Sequence, residues 1–368
     1  MVPKEYYGRL FTKEQLPVDY HPEALTLESM IKVDKQLRCK RCYSRIEEDW
    51  QLPGGQYYCR ACIVFGRNQE GKELYYFPSK TSEIEFPVLK WFGELTPYQA
   101  KVSEKLLRTY QKQKDSLVHA VTGAGKTEMI YNIVAYVLEN KGHVAIASPR
   151  VDVCRELFLR MKRDFTCSIS LLHAESEPYD GSPLVIATTH QLLKFYQSFD
   201  LVIVDEVDAY PFVGNVMLNH AVVQAKTQTG RFIYLTATST LSLEEQVRLG
   251  TLEKHHLARR FHGNPLVLPK FFWQGRLQKS LTRDKLPRPL LYQIKKQRKS
   301  KFPLLIFFPN IAIGEKFTSI LQKYLPDEKM AFVSSKSEER STIVEKFRKK
   351  ELSILVTTTI LERGVTFS

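Results

Sequence analysis

Three groups of residues are spaced to do chemistry. In HAVTGAGKTEM, residues 119–129, glycines, a lysine and a hydroxyl stand at the spacing of a phosphate-binding loop between an apolar strand and a helical pattern. The backbone N–H groups of Thr122, Gly123, Ala124 and Gly125 can cradle a nucleotide's phosphates. Lys126 would reach the β/γ-phosphates of ATP, and Thr127 would offer its hydroxyl to Mg²⁺. Ala120 replaces the glycine that usually opens the pattern, so the tight turn must lie at 122–125. The second group is LVIVDEVDAY, residues 201–210, where an apolar strand ends in Asp205 and Glu206. Asp205 would hold Mg²⁺, and Glu206 would orient or deprotonate the attacking water. An acidic pair after a strand is often only a helix start; its position about 80 residues after a phosphate loop favours catalysis.

The third group is CKRC (39–42) and CRAC (59–62), which together read C-x₂-C-x₁₆-C-x₂-C. Four thiolates from Cys39, Cys42, Cys59 and Cys62 suit a tetrahedral Zn²⁺ site. So small a module would draw its folding energy from the metal. A redox pair and free structural cysteines are the competing readings. Arg38, Lys40, Arg41, Arg45, Arg60 and Arg67 surround the cysteines, and either a DNA-facing surface or a structural knob accounts for them.

The elements that must position these groups are legible from about residue 88 onward. Apolar runs at 116–121, 143–148, 168–173, 183–188, 201–205 and 231–238 alternate with helical stretches, which predicts a parallel α/β sheet with helices on both faces. One such helix is expected over 126–142, with Gly142 at its C-terminal end. A Pro/Gly-rich basic stretch, 259–276, breaks the rhythm. A second series follows, with strands at 303–308, 330–335 and 353–359 and helices at 313–325 and 337–351. With three strands it reads as an incomplete, C-terminally truncated domain. The expected division is 1–87 with the cysteine module, 88–270 as a first α/β domain and 271–368 as a second.

Composition narrows the class. The 368 residues carry a net charge of +14. Residues 241–300 hold 14 Lys/Arg against four acids, a balance of +10. Such a field suits a polyanion, either nucleic acid or acidic lipid headgroups, unless it is only a solvated surface. No apolar run reaches the roughly 20 residues of a membrane span, and the N-terminus lacks the apolar core of a signal peptide. A cytoplasmic location is expected. The nine histidines form no cluster, His119 reads as a strand residue, and Cys154 and Cys167 read as packing. Phe271, Phe272 and Trp273 are available for base stacking, for core packing or for interdomain contact.

AVTGAGKT, DEVD, TAT (236–238) and TTTILERGV (357–365) occur in the order and spacing of the superfamily 2 helicases and translocases, which the chain resembles over about 90–368. LTPYQAKV, ASPRVDV, ATTHQLL and IFFPN are similar to that family's minor motifs. The resemblance implies tandem RecA-like domains that sandwich ATP, preceded here by the small zinc-binding domain. It implies that Gln99 reads adenine and that Thr236 and Thr238 couple the γ-phosphate region to the strand-binding surface. Arg150, Thr188, Thr189 and Thr358 would hold nucleic-acid phosphates, and Arg363 and Gly364 would line the nucleotide site from the second domain.

The cysteine module ahead of a DEVD motor resembles the bacterial competence DNA-import ATPases of the ComFA family. That implies an ATP-dependent motor on single-stranded DNA serving natural transformation. The implied partners are ComFC, DprA and the membrane DNA channel, with a place at the inner face of the membrane; homo-oligomerisation stays open. The alternatives are a PriA-like replication-restart helicase, an RNA helicase, and a zinc-dependent DNA-binding adaptor with a vestigial ATPase.

Overall fold

A computed structural model describes residues 2–81, 84–258, 269–273, 275 and 277–359. Arg363 and Gly364 of the closing motif lie outside the described residues. So does most of the basic stretch 259–276. The chain divides into two compact units, Met1–Leu266 and Val267–Ser368. The cysteine-bearing N-terminal region therefore shares a unit with the first α/β series.

The N-terminal region is built from strands of three or four residues, too short to show a period in the sequence. They are β1 (Leu10–Thr12), β2 (Leu25–Glu28), β3 (Met30–Val33), β4 (Gln36–Cys39) and β5 (Glu73–Tyr76). An antiparallel sheet has the order β1-β5-β2, while β3 and β4 form a separate hairpin. Asp34 and Lys35 turn that hairpin with φ of 48° and 64°, and β4 ends on Cys39.

The first α/β series forms a seven-stranded parallel sheet. Its strands are β6 (Asp115–Ala120), β7 (Val144–Ser148), β8 (Ile169–Leu172), β9 (Leu184–Thr188), β10 (Phe199–Asp205), β11 (Lys226–Thr236) and β12 (Leu252–Leu257). The order is β12-β6-β11-β10-β7-β9-β8. Six strands match the apolar runs of the sequence. The seventh, β12, reads LEKHHL and is too polar to be recognised by pattern. Alternation sends Val202 and Val204 of β10 into one core and Leu201 and Ile203 into the other. A strand covered on both faces explains the unbroken apolar run. The four cysteines join the first of these cores, beside Leu218, Ala221 and Val222.

Helices α1 (Pro97–Gln111), α2 (Lys126–Met129), α3 (Tyr131–Glu139), α4 (Val151–Asp164), α5 (Val216–Ala225) and α6 (Leu241–Arg248) complete this unit. The single helix expected over 126–142 is two, separated at Ile130, whose N–H bonds back three residues to the Thr127 carbonyl. The end of α3 also differs from expectation. Lys141, not Gly142, takes the left-handed position, with φ of 62°. The N–H groups of Lys141 and Gly142 donate to the carbonyls of Leu138 and Val137 at 2.8 and 2.9 Å, closing the helix as a Schellman turn. Gly142 is needed for space: a Cβ there would lie 2.8 Å from Val137 Cγ1 and 3.0 Å from Asp200 Oδ2.

The second unit carries α7 (Leu277–Leu281), α8 (Arg288–Arg298), β13 (Leu304–Phe307), α9 (Ile311–Tyr324), β14 (Met330–Val333), α10 (Arg340–Arg348) and β15 (Ile354–Thr357). Its parallel sheet has the order β13-β15-β14. The three strands and the helices between them follow the sequence expectation; α7 and α8 precede them. Among the described residues no helix is long and apolar enough to cross a membrane.

Gly142→Ala should destabilise the first unit by about 1–3 kcal/mol through overpacking, whereas Lys141→Gly should be neutral or stabilising. Denaturant unfolding of the two variants reads the difference, and the reverse order would refute the steric account.

Candidate functional site

Sheet order brings the chemistry-bearing segments together. Strands β6, β11 and β10 are adjacent and parallel, so the turn after Ala120, the Thr236–Thr238 segment and the Asp205–Asp208 segment emerge side by side. The turn begins where the Val121 N–H bonds the Leu257 carbonyl, and it is closed by the Ala124 N–H on the Val121 carbonyl at 3.1 Å. Gly123 and Gly125 have φ of 78° and 71°, the left-handed geometry that lets the backbone fold tightly. Thr122 and Gly123 are exposed and Ala124 is buried. Lys126 heads α2, and its ammonium lies 3.5 Å from the Ala120 carbonyl. Thr127 follows it, half-buried.

Asp205 is half-buried, and loss of solvent pushes its carboxyl above the usual carboxylate range, with the Lys126 charge opposing the rise. Its Oδ1 accepts the Glu206 N–H at 2.9 Å. Glu206 has φ of 55°, a left-handed conformation that costs a non-glycine residue roughly 1–2 kcal/mol. Strain thus falls on the residue expected to orient water.

Gln99 is 2% exposed. Its Oε1 accepts the Thr96 N–H at 2.9 Å, completing a capping box on α1, and its Nε2 donates to the Ala124 carbonyl at 2.8 Å. A Cβ on Gly125 would stand 2.3 Å from that Nε2, so the carboxamide braces the phosphate loop directly.

Asp208, part of the DEVD run but given no role by the sequence, ties two strand ends together. Its Oδ1 accepts the Thr236 hydroxyl at 2.8 Å, and its Oδ2 accepts the Thr238 hydroxyl. The Thr238 N–H donates to Thr236 Oγ1 at 3.0 Å. His119 is a strand residue, as expected, but its Nε2 also lies 3.1 Å from the Ala237 carbonyl, between the two threonines. No sequence signal announces that contact, because it spans 118 residues.

The candidate phosphate-contacting residues divide. Arg150, Thr188 and Thr189 lie at the ends of β7 and β9, which pair at Ser148 and Thr188. Arg150 is engaged with Asp152, at 2.8 Å from Nη2 to Oδ2. Thr188 and Thr189 are buried. Thr358 follows β15 in the second unit and is half-buried. Phe271, Phe272 and Trp273 are exposed, which rules out the core-packing reading for them. Cys154 is a packing residue: its thiol donates to the Ala187 carbonyl at 3.2 Å, and burial pushes it up to about 12.

The four module cysteines are fully buried, without a disulfide, and their sulfurs all lie within 4.8 Å of one another. Three of the separations are 3.5–3.6 Å, against about 3.8 Å for tetrahedral sulfurs at about 2.3 Å from a metal. Asn68 Nδ2 donates to Cys39 Sγ at 3.0 Å, and Ser44 Oγ lies 3.3 Å from Cys42 Sγ, the outer contacts such a site needs. Thiol contacts from Cys42, Cys59 and Cys62 hold Cys39 well below the usual thiol range.

Arg41, expected at the surface, is fully buried; its Nη1 donates to the carbonyls of Phe65 and Gly66, joining the two cysteine pairs. Arg60 pairs with Asp49, and Arg38 stacks on Tyr43. These cations serve the module itself. His220 of α5 docks the module on the sheet: its Nε2 lies 3.0 Å from the Lys40 carbonyl, and its ring stacks on Tyr43.

Residues 96–246 match the family model of the DEAD/DEAH box helicases, and residues 285–368 match the helicase conserved C-terminal domain. Competence protein ComFA of Streptococcus pneumoniae is 54% identical over 366 residues, covering 99% of this chain and 84% of that protein. Competence protein ComFA of Bacillus subtilis is 35% identical over 350 residues, covering 93% and 75%. Among solved structures, Mycobacterium smegmatis helicase Lhr bound to ssDNA and AMP-PNP aligns with a TM-score of 0.52 at 18% identity, covering 75% of this chain and 41% of that one. DEAD-box helicase Mss116 bound to ssRNA and UDP-BeF aligns with 0.53 at 19%, covering 74% and 62%. These two likenesses establish the tandem RecA-like helicase fold and no more.

Asp208→Ala would remove the acceptor of the Thr238 hydroxyl and leave the Thr236 hydroxyl only the Thr238 carbonyl, at 2.6 Å. The expected loss is about 1–3 kcal/mol of stability, and a double-mutant cycle with Thr236→Ala should show coupling of roughly 0.5–3 kcal/mol. Additive effects would mean that the network carries no energy.

Proposed function

This chain belongs to the ComFA family of competence proteins and is a helicase-like, nucleic-acid-binding ATPase serving DNA uptake, and from that premise we propose that it moves single-stranded DNA. The observation that supports this reading most is the adjacency of phosphate loop, DEVD and TAT at three neighbouring strand ends. In this proposal the amides of 122–125 and the Lys126 ammonium hold the phosphates of ATP. Thr127 and Asp205 hold Mg²⁺, which when bound would neutralise charge on the β- and γ-phosphates. The partial desolvation of the Asp205 carboxylate suits it to a divalent cation. Glu206 orients the attacking water and accepts its proton. Gln99 reads adenine, exchanging its bond to Ala124 for one to the base. Asp208, Thr236 and Thr238 report the state of the γ-phosphate to the strand-binding surface.

Arg150, Thr188 and Thr189 bind nucleic-acid phosphates, the buried threonines through backbone amides, and Thr358 does the same on the second unit; Arg363 and Gly364 are assigned to nucleotide binding. Functionally the chain then reads as three parts: a module in 1–87, a first motor domain in 88–270 and a second in 271–368. The four cysteines hold one Zn²⁺, to which the donor set and sulfur spacing are suited. ComFC, DprA and the membrane DNA channel are the proposed partners, with the protein working at the inner face of the membrane.

Lys126→Ala should lower hydrolysis by on the order of 10²-fold or more while leaving DNA binding largely intact. ATP hydrolysis measured with single-stranded DNA, duplex DNA or RNA added in turn tests the reading. Stimulation by RNA alone would favour an RNA helicase, and absence of any stimulated turnover would favour the adaptor. Metal analysis should find one zinc per chain, lost in Cys39→Ser; native protein without zinc would falsify that assignment.

A further inference from the structure

The basic excess of residues 241–300 is not spread evenly once the side chains are placed. On α6 and β12 the cations are already neutralised: Arg248 pairs with Glu245 and Lys254 with Glu244. The second unit is different. Residues 277–302 contain nine lysines and arginines and a single acid, Asp284, which is paired with Lys316. Arg298 is taken up by Glu328. The remaining cations of this segment have no acidic partner among the described residues, and all are exposed.

The geometry of α8 organises them. Arg288, Tyr292, Lys295 and Lys299 are spaced by four, three and four residues, so they share one helix face. Lys296 flanks that row. Tyr292, in the middle of it, is 64% exposed. The opposite side of α8 is committed: Ile294 is buried, and Leu290 and Leu291 pack against the same core as Phe317 and Leu321. An interfacial membrane helix needs a free apolar face to insert; α8 has none. What it offers outward is charge and one aromatic ring, which is the chemistry of a single-strand contact. From Arg288 to Lys299 the row runs about 16 Å, room for roughly five stacked nucleotides at about 3.4 Å each.

We propose that the outward face of α8 is a second single-stranded nucleic-acid contact, with Arg288, Lys295, Lys296 and Lys299 on phosphates and Tyr292 stacked on a base. It lies outside the motif residues, reads no sequence, and deepens the single-strand reading on which it rests. Its role is to hold the strand while the motif residues release and rebind it during turnover.

The test is equilibrium binding of oligo-dT at several salt concentrations. The variants are Arg288→Gln/Lys295→Gln/Lys296→Gln/Lys299→Gln, Tyr292→Ala and Tyr292→Phe, with Lys101→Gln/Lys105→Gln/Lys112→Gln/Lys114→Gln on and just after α1 as a charge-matched control. Thermal unfolding should be unchanged, because every substituted side chain is exposed. The α8 quadruple variant should bind at least about tenfold more weakly, its salt slope reduced by roughly 0.7 for each phosphate it no longer neutralises. Tyr292→Ala should weaken binding about fivefold or more, and Tyr292→Phe should recover most of it. An unchanged slope, or a weakening no greater than the control's, overturns the inference and leaves the single-strand motor standing. Failure of the unmodified chain to bind oligo-dT overturns both. Loss of adsorption to phosphatidylglycerol vesicles with oligo-dT affinity intact assigns the face to lipid and also overturns it.

Discussion

The parallel hydrogen-bond ladder joining β6, β11 and β10 is the constraint on which this protein's chemistry depends. Each strand leaves the sheet at the same edge, so three loops far apart along the chain must meet there. Nothing in the phosphate turn, the DEVD segment or the Thr-Ala-Thr segment needs to be long to reach the others. The ladder is itself held by cores on both faces, which is why the paired centres of the strands are mainly apolar and why their ends can be polar and strained. Glu206 in a left-handed conformation and the partly desolvated Asp205 are costs that the packed sheet offsets.

Around that edge the side chains form braces rather than isolated catalytic groups. Gln99 connects the start of α1 to the phosphate loop, Asp208 connects β10 to β11, and His119 connects β6 to the same β11 segment. A change in any one loop is therefore felt at the other two. Such cross-bonding is what a motor needs if the state of a phosphate is to alter a surface some distance away.

The cysteine module belongs to the same unit for a physical reason. Its four buried sulfurs and Met30 continue the core on one face of the sheet, and His220 clasps the first cysteine pair. Three of the basic residues around it, Arg38, Arg41 and Arg60, are engaged within the module, Arg41 most of all. A row of cations with no acidic partner among the described residues lies on α8 of the second unit, whose apolar side is already used.

Much of this was legible in the amino-acid order. The phosphate loop, the acidic strand end, the C-x₂-C pairs and six strands of the first sheet depend on local spacing, and local spacing survives folding unchanged. The family resemblance and the tandem α/β architecture rest on the same local signals. Other features depended on neighbours distant in the chain. β12 is a strand because β6 offers an edge, not because LEKHHL alternates; Lys141 takes the left-handed position in the turn that closes α3, and Gly142 after it has no room for a Cβ beside Val137 and Asp200. The work of Asp208, the burial of Arg41 and the split of the basic field into paired and unpaired halves are likewise invisible locally. A sequence determines which groups are present and how far apart they lie along the backbone; only the tertiary structure decides which charges meet a partner, because that is settled between residues brought together from distant parts of the chain.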